Sequence, residues 1–286
     1  MIPHSELILN TDGSIYHLNL CPEDIASKII LVGDPDRVPS VSQFFDTIRI
    51  QKQKREFVTH TGSYKGKEIT VLSTGIGTDN IDIVMNELDA LVNIDFQTRE
   101  IKSKLTSLEI IRVGTSGSIQ PEIDIDTFLA SEFGIGLDAM MLFYDYSNRK
   151  DEEELYCLLA AYLMENEAEI TMPYCFGAHT DLLKKFSSFQ RGITLTHNGF
   201  YGPQGRVLRG QLMIPNYINL MAGFQSPYGK ITNFEMETAA IYGLASILGH
   251  KALSTNLILA NRPKGTFSSD YKTKMNELIA IVLEKI

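Results

Sequence analysis

The sequence predicts an α/β fold, with one domain spanning residues 1–286. Two observations carry this reading. Short β-branched runs alternate with stretches of helical periodicity, and the early runs end in glycine-containing segments. At 286 residues the chain exceeds one small core, yet an α/β sheet of this size commonly forms a single domain. No internal repeat, linker or low-complexity segment divides it.

The elements follow in order. KIILVG at 28–33 reads as a strand that stops at Gly33 and the turn DPDR. EITVLSTG at 68–75 is a second strand, closed by Gly75–Ile76–Gly77. Ile81, Val84, Leu88 and Leu91 then share one helical face. LEIIRVGTSG at 108–117 repeats the strand-to-glycine form, and its last four residues read as a turn. The 151–166 stretch opens with DEEE, as suits a helix N-terminus, before turning apolar. GITLTHNG at 192–199 is a later strand. METAAIYGLASIL at 236–248 is apolar nearly all round, which predicts a buried helix. ALSTNLILANR at 252–262 supplies another strand, and 269–285 the last helix, with Met275, Leu278, Ile279 and Leu283 inward.

Composition removes several function classes. Twenty-six basic against 35 acidic residues leave a net charge of −9, which argues against a nucleic-acid partner. Cys21, Cys157 and Cys175 are too scattered for a disulfide framework or a four-thiolate zinc site. No HExxH stands in the chain, and His60, His179 and His250 lack metal spacing, so no metal is expected. The longest apolar stretch, 128–143, is broken by Glu132 and Asp138, so no membrane segment is expected. The N-terminal MIPHSELILN lacks a basic start and an apolar centre, and a cytoplasmic protein is expected. GIGTDN at 75–80 lacks the third glycine of a dinucleotide fingerprint, and no GxxxxGK[ST] occurs. Nicotinamide and pyridoxal cofactors are likewise not expected.

The informative features are arginines beside the glycine segments. Arg37 lies four residues after Gly33, Arg112 two before Gly114, and Arg55 in KREF. An arginine facing inward from a central strand is costly unless an anion or a carboxylate meets it. In an acidic protein, converging guanidinium groups are the means of holding phosphate.

Taken together, YHLNL, LVGDPDR, KREF, LSTGIGTDN, IRVGTSGSIQP, GFYGPQGR, NFEMETAA and ANR, in that order, resemble the nucleoside phosphorylase-I family, most closely its uridine-cleaving members. The likeness runs from His17 to Arg262. It implies one α/β domain with a distorted mixed sheet flanked by helices. It also implies phosphorolysis, in which nucleoside and inorganic phosphate give base and ribose 1-phosphate, without a cofactor, in pyrimidine salvage. By this resemblance Gly33, Arg37, Arg55, Arg112 and Thr115 bind phosphate. His17, Met236 and Glu237 bind ribose, with Glu235 beside them. Phe200, Gln204, Arg206 and Arg262 form the base pocket. Arg112, Glu237, Arg206 and Gln204 are the catalytic set. His17 and Arg55 are expected to enter a neighbouring subunit's site, which implies a homo-oligomer, at least a dimer, with a hexamer open. Some relatives hold a monovalent ion where Glu56, Ile76 and Asn80 stand; no ion is expected here.

These residue types suit the chemistry. Cleaving a glycosidic bond builds positive charge on the sugar and negative charge on the base. Arginines can position the anionic nucleophile, while an ionised Glu237 accepts from two sugar hydroxyls. The Gln204 amide can both donate to and accept from uracil, and Arg206 can stabilise charge on a uracil oxygen. Purine-cleaving relatives carry an aspartate near position 262, so Arg262 favours a pyrimidine. The alternatives are a purine nucleoside phosphorylase, a nucleosidase of the same fold that uses water, and a non-catalytic nucleoside-binding protein.

Overall fold

The computed structural model describes residues 1–286 apart from 169, 171 and 172. Strand β1 (Lys28–Val32) leads to a short helix, α1 (Arg37–Ser42). An antiparallel meander follows, β2 (Thr47–Lys54), β3 (Phe57–Tyr64) and β4 (Lys67–Ser73), and then helix α2 (Thr78–Asn93). A two-residue hairpin, β5 (Ile94–Asp95) and β6 (Glu100–Ile101), precedes β7 (Glu109–Ser118) and β8 (Phe128–Gly136). Next come α3 (Lys150–Glu165), β9 (Tyr174–Gly177), α4 (Thr180–Lys185), β10 (Gln190–Thr196) and α5 (Tyr217–Gly223). The chain ends through β11 (Gln225–Ser226), β12 (Gly229–Glu235), α6 (Thr238–Leu248), β13 (Lys251–Asn261), β14 (Thr266–Phe267) and α7 (Tyr271–Lys285).

The main sheet runs β11-β12-β10-β8-β13-β7-β1-β4-β3-β2, with β9 beside β8 and β14 beside β13. It is mixed: β7 is parallel to β1 and β13, whereas β13 is antiparallel to β8. It is also distorted. β12 lies parallel to β10 and then curls back antiparallel to β7, pairing Asn233 with Ser118 and Phe234 with Gly117. Strands β7, β13, β8, β10 and β12 thereby close into a ring. Closure removes two strand edges and places the far halves of β7 and β12 side by side.

Helices cover the sheet with the apolar faces expected of them. Ile81, Val84, Leu88 and Leu91 of α2 are all fully buried. Every residue of α6 from Thr238 to Ala245 is buried, because the helix packs on β8, β10 and β13 and also against α2. Leu155, Leu159 and Leu163 of α3 form a second core with Tyr217 and Met221 of α5 and with Leu195. His60 meets the Ser42 hydroxyl, His179 caps α4, and His250 accepts from the Leu108 N–H, so each is held by structure. The three cysteines are free thiols. Among the described residues no helix is long and apolar enough to cross a membrane.

Two expectations are corrected. Residues 114–117 are not a turn; β7 continues to Ser118 because β13 pairs alongside it through Asn256–Gly114 and onward. The buried helix starts at Thr238 rather than at 236, because the Glu235 carboxylate accepts the N–H groups of Glu237 and Thr238 and so caps it. The 128–136 half of the interrupted apolar stretch, for which no strand was predicted, is strand β8, and its Glu132 pairs with Arg191 at 3.6 Å.

Candidate active site

A cleft of about 770 Å³ opens at the carboxyl ends of β1, β4, β7 and β12. Ligands of open α/β sheets gather at such ends, where successive strand-to-helix turns present their polar atoms together. Gly33 comes from the turn after β1 and Arg37 opens α1; Glu56 comes from the β2–β3 turn; Ile76 comes from the turn after β4 and Asn80 from the first turn of α2. Thr115 and Ser116 come from within β7, and Met236 and Glu237 from the link between β12 and α6.

The two arginines converge at one wall. Arg37 is partly buried, and its Nη1 donates to the Val113 carbonyl at 3.2 Å; among the described residues it makes no ion pair. Burial, and then the nearby Arg112 cation, hold its pKa below the usual arginine value. Arg112 is 5 % exposed. Its Nη2 meets Glu237 Oε2 in an ion pair and lies 3.4 Å from Glu235 Oε2, while its Nη1 donates to Asn256 Oδ1 at 3.0 Å. Burial works against the Arg112 charge, but the two carboxylates outweigh it and raise its pKa. The inward arginine therefore does meet carboxylates. The guanidinium folds back over its own strand, and a Cβ at residue 114 would sit 1.7 Å from Arg112 Nη1, so only glycine fits there.

The two glutamates do different things. Glu237 Oε1 accepts from the Gly77 N–H at 2.9 Å and Oε2 takes Arg112, which leaves lone pairs facing the cleft. Glu235 is satisfied within the protein: it accepts from Thr196 Oγ1 at 2.6 Å and from two backbone N–H groups, and it neighbours Arg112. Burial, with the like charge of Glu237, raises its pKa against the pull of Arg112. Glu235 also lines the cleft, and through these bonds it anchors Glu237 and Arg112 from beneath.

The opposite wall carries the 199–206 loop. Gln204 is 2 % exposed, and its Oε1 accepts from Arg206 Nη1 at 2.6 Å. Arg206 also donates to the Phe200 carbonyl at 2.7 Å and stacks 3.7 Å above the Phe200 ring. Burial, followed by the cation of Arg262, lowers its pKa to about 10, so this guanidinium gains from an anionic partner. Arg262 departs from the direct base contact expected of it. It does not line the cleft; its Nη1 and Nη2 donate to the carbonyls of Gln204 and Gly205 and fix the loop. Arg262 follows directly on β13, whose end pairs with Gly117 and Ser118 of β7, and this places it beside the loop.

His17 and Arg55 lie outside this chain's cleft. His17 Nδ1 is 2.6 Å from Glu87 Oε1, and the N–H groups of His17 and Leu18 also reach that carboxylate. Arg55 is exposed at the β2–β3 turn with φ +55°. Glu56 and Asn80 close on Gly75, where a Cβ would lie 2.4 Å from the Asn80 amide nitrogen and where φ is +71°. Among the described residues no group of three His, Cys, Asp or Glu side chains could hold a metal ion. Residues passed over in the sequence also contribute: Ser116, Phe234, Leu259 and Phe267 line the cleft, and Asn256 holds Arg112. Three polar residues in succession within a buried strand, Ser254–Thr255–Asn256, were the available signal for the last of these.

The sequence profile of the phosphorylase superfamily matches residues 27–285. A uridine phosphorylase of Thermococcus kodakarensis is 32% identical over 258 residues, 90% of this chain and 80% of its own. A DeoD-type purine nucleoside phosphorylase of Bacillus cereus is 27% identical over 274 residues, 94% of this chain and 97% of its own. A crystal structure of a Trypanosoma brucei nucleoside phosphorylase, described as showing uridine phosphorylase activity, superposes with a TM-score of 0.88. It is 30% identical, and the superposition covers 98% of this chain and 99% of that one.

Proposed function

The chain belongs to the phosphorylase superfamily, and on that footing we propose that it is a uridine phosphorylase, a pentosyltransferase that cleaves uridine with inorganic phosphate. One observation carries the reading: among the described residues Arg37 has no carboxylate partner, and it stands 3.2 Å from the Val113 carbonyl, beside Arg112 and on the wall where Glu237 waits for a sugar. A cation so placed lacks its anion, and an oxyanion supplies it.

The steps follow from the side chains. Arg37 and Arg112 hold phosphate with Gly33 and Thr115 beside them. Glu237 accepts from the ribose hydroxyls, Met236 packs on the sugar, and Glu235 keeps Glu237 in place. Phosphate adds at the anomeric carbon as the glycosidic bond breaks, and the bonding electrons leave with the base. Arg206 and Gln204 receive the charge on the departing uracil, with Phe200 against the base. Arg262 sets this loop from behind. Water attack needs no cationic wall, so the convergent arginines favour phosphate over a hydrolytic reading.

The rest of the proposal rests on the same reading. Residues 1–286 act as one cytoplasmic domain in pyrimidine salvage, with no cofactor beyond the phosphate co-substrate. His17 and Arg55, turned away from their own cleft, serve a neighbour in a homo-oligomer, so a strictly monomeric active enzyme in sedimentation would contradict site sharing. The base choice is tested by comparing nucleosides at saturating phosphate. Uridine is expected to outpace inosine roughly tenfold or more in kcat/KM. Faster inosine cleavage would overturn the pyrimidine assignment.

A further inference from the structure

A continuous hydrogen-bonded belt of polar side chains runs round the closed ring of strands. It starts at Arg112 on β7, whose Nη1 donates to Asn256 Oδ1 on β13 at 3.0 Å. Asn256 Nδ2 donates to Ser131 Oγ on β8 at 3.3 Å, and also to Ser254 Oγ at 3.2 Å. Ser131 Oγ lies 2.6 Å from Thr194 Oγ1 on β10, which donates to Asn233 Oδ1 on β12 at 3.0 Å. Asn233 Nδ2 returns to β7, donating to Ser116 Oγ at 3.0 Å. Asn256, Ser131, Thr194 and Asn233 are completely buried.

The belt has one direction. A guanidinium only donates, so the Asn256 atom facing it must be the carbonyl oxygen and the amide nitrogen must face the serines. Thr194 spends its single hydrogen on Asn233, so Ser131 donates to Thr194 and accepts from Asn256. The charge of Arg112 thus orders every dipole to Ser116, at the cleft wall. Breaking the Arg112–Asn256 link leaves a buried amide oxygen without its donor.

We infer that Asn256 is a positioning residue for phosphate use: it fixes the Arg112 guanidinium at the end opposite its carboxylates, through an amide that Ser131 and Ser254 hold in one orientation. Neither Asn256 nor Ser131 is among the side chains lining the cleft, so the effect passes through Arg112. Phosphate meets Arg112 and the sugar meets Glu237, so a misplaced guanidinium weakens phosphate first.

The inference rests on the phosphorylase reading, and steady-state kinetics on folded protein separates the two. In Asn256→Leu the KM for phosphate should rise about tenfold, the scale of one hydrogen bond to a charged group, while the KM for uridine stays within about twofold. Ser131→Ala keeps the acceptor for Arg112 but frees one side of the amide, and should move the same constant by about threefold. Parallel rises in both KM values, or an unmoved phosphate KM in a folded Asn256→Leu protein, would overturn the inference. Should that variant not fold, an unmoved phosphate KM in Ser131→Ala decides against it. Native enzyme whose uracil release ignores phosphate overturns the underlying reading as well. Native phosphate dependence with unmoved variants overturns this inference alone.

Discussion

Replacing Arg37 by leucine is expected to cut phosphate-dependent uracil release by roughly two to three orders of magnitude in kcat/KM for phosphate. The same protein should melt at or above the native temperature. Both halves come from one feature. Among the described residues the Arg37 side chain makes a single hydrogen bond, at Val113, while burial and the cation of Arg112 disfavour its charge. Its removal takes nothing the fold relies on and takes a charge-assisted contact from the nucleophile. Arg37→Lys should recover only part of the loss, because an ammonium cannot offer the planar fork of a guanidinium. Initial rates over a phosphate series, with a thermal melt on each variant, check this; a loss below about fivefold, under the scale of one positioned charged donor, would contradict it.

Arg112→Met should behave differently, failing in stability as well as activity. The substitution strands Glu235 and Glu237, 4 % and 5 % exposed, without their cation. Removing one partner of a buried ion pair costs about 3–5 kcal/mol. The loss carries a pH signature. Burial and the charge of Glu237 raise the Glu235 pKa even in the native protein, and Arg112 is what restrains the rise. With a folded-state pKa above the unfolded one, the folded form binds the extra proton, so stability falls as pH rises through the folded pKa. The variant should accordingly regain part of its deficit between pH 7.5 and about pH 5, unlike Arg37→Leu. Denaturant titration at both pH values measures this. An equal deficit at the two, or one below about 1 kcal/mol, would argue that the carboxylates do not depend on Arg112.

Most of the fold was legible because its central elements obey simple periodicities. The runs at 28–33, 68–75 and 252–262 are buried on both faces and read as continuous apolar strands. Strand β2 was not, since RIQKQK lies largely exposed at the sheet edge and carries no apolar pattern. The site was legible where a residue looked out of place in its strand. Arg112 within IIRVG announces a buried charge, although its pairing with two glutamates depends on the way β12 curls back beside β7. The same curl makes Glu235 a cap for α6 and an anchor for Glu237. Arg262 was expected at the base because purine-cleaving relatives carry an aspartate near this position and a cation suits uracil oxygens. Its bonds to Gln204 and Gly205 arise only because a loop some sixty residues earlier folds over it, which no local pattern encodes.

The central claim is that a pair of arginines recruits inorganic phosphate to a sugar held by Glu237. Its most direct measurement is uracil release from uridine by the native protein with phosphate present and withheld, together with the identity of the sugar product. The expected result is a rate that vanishes without phosphate and a product that is ribose 1-phosphate. Equal rates in both conditions, with free ribose as the product, would contradict the account.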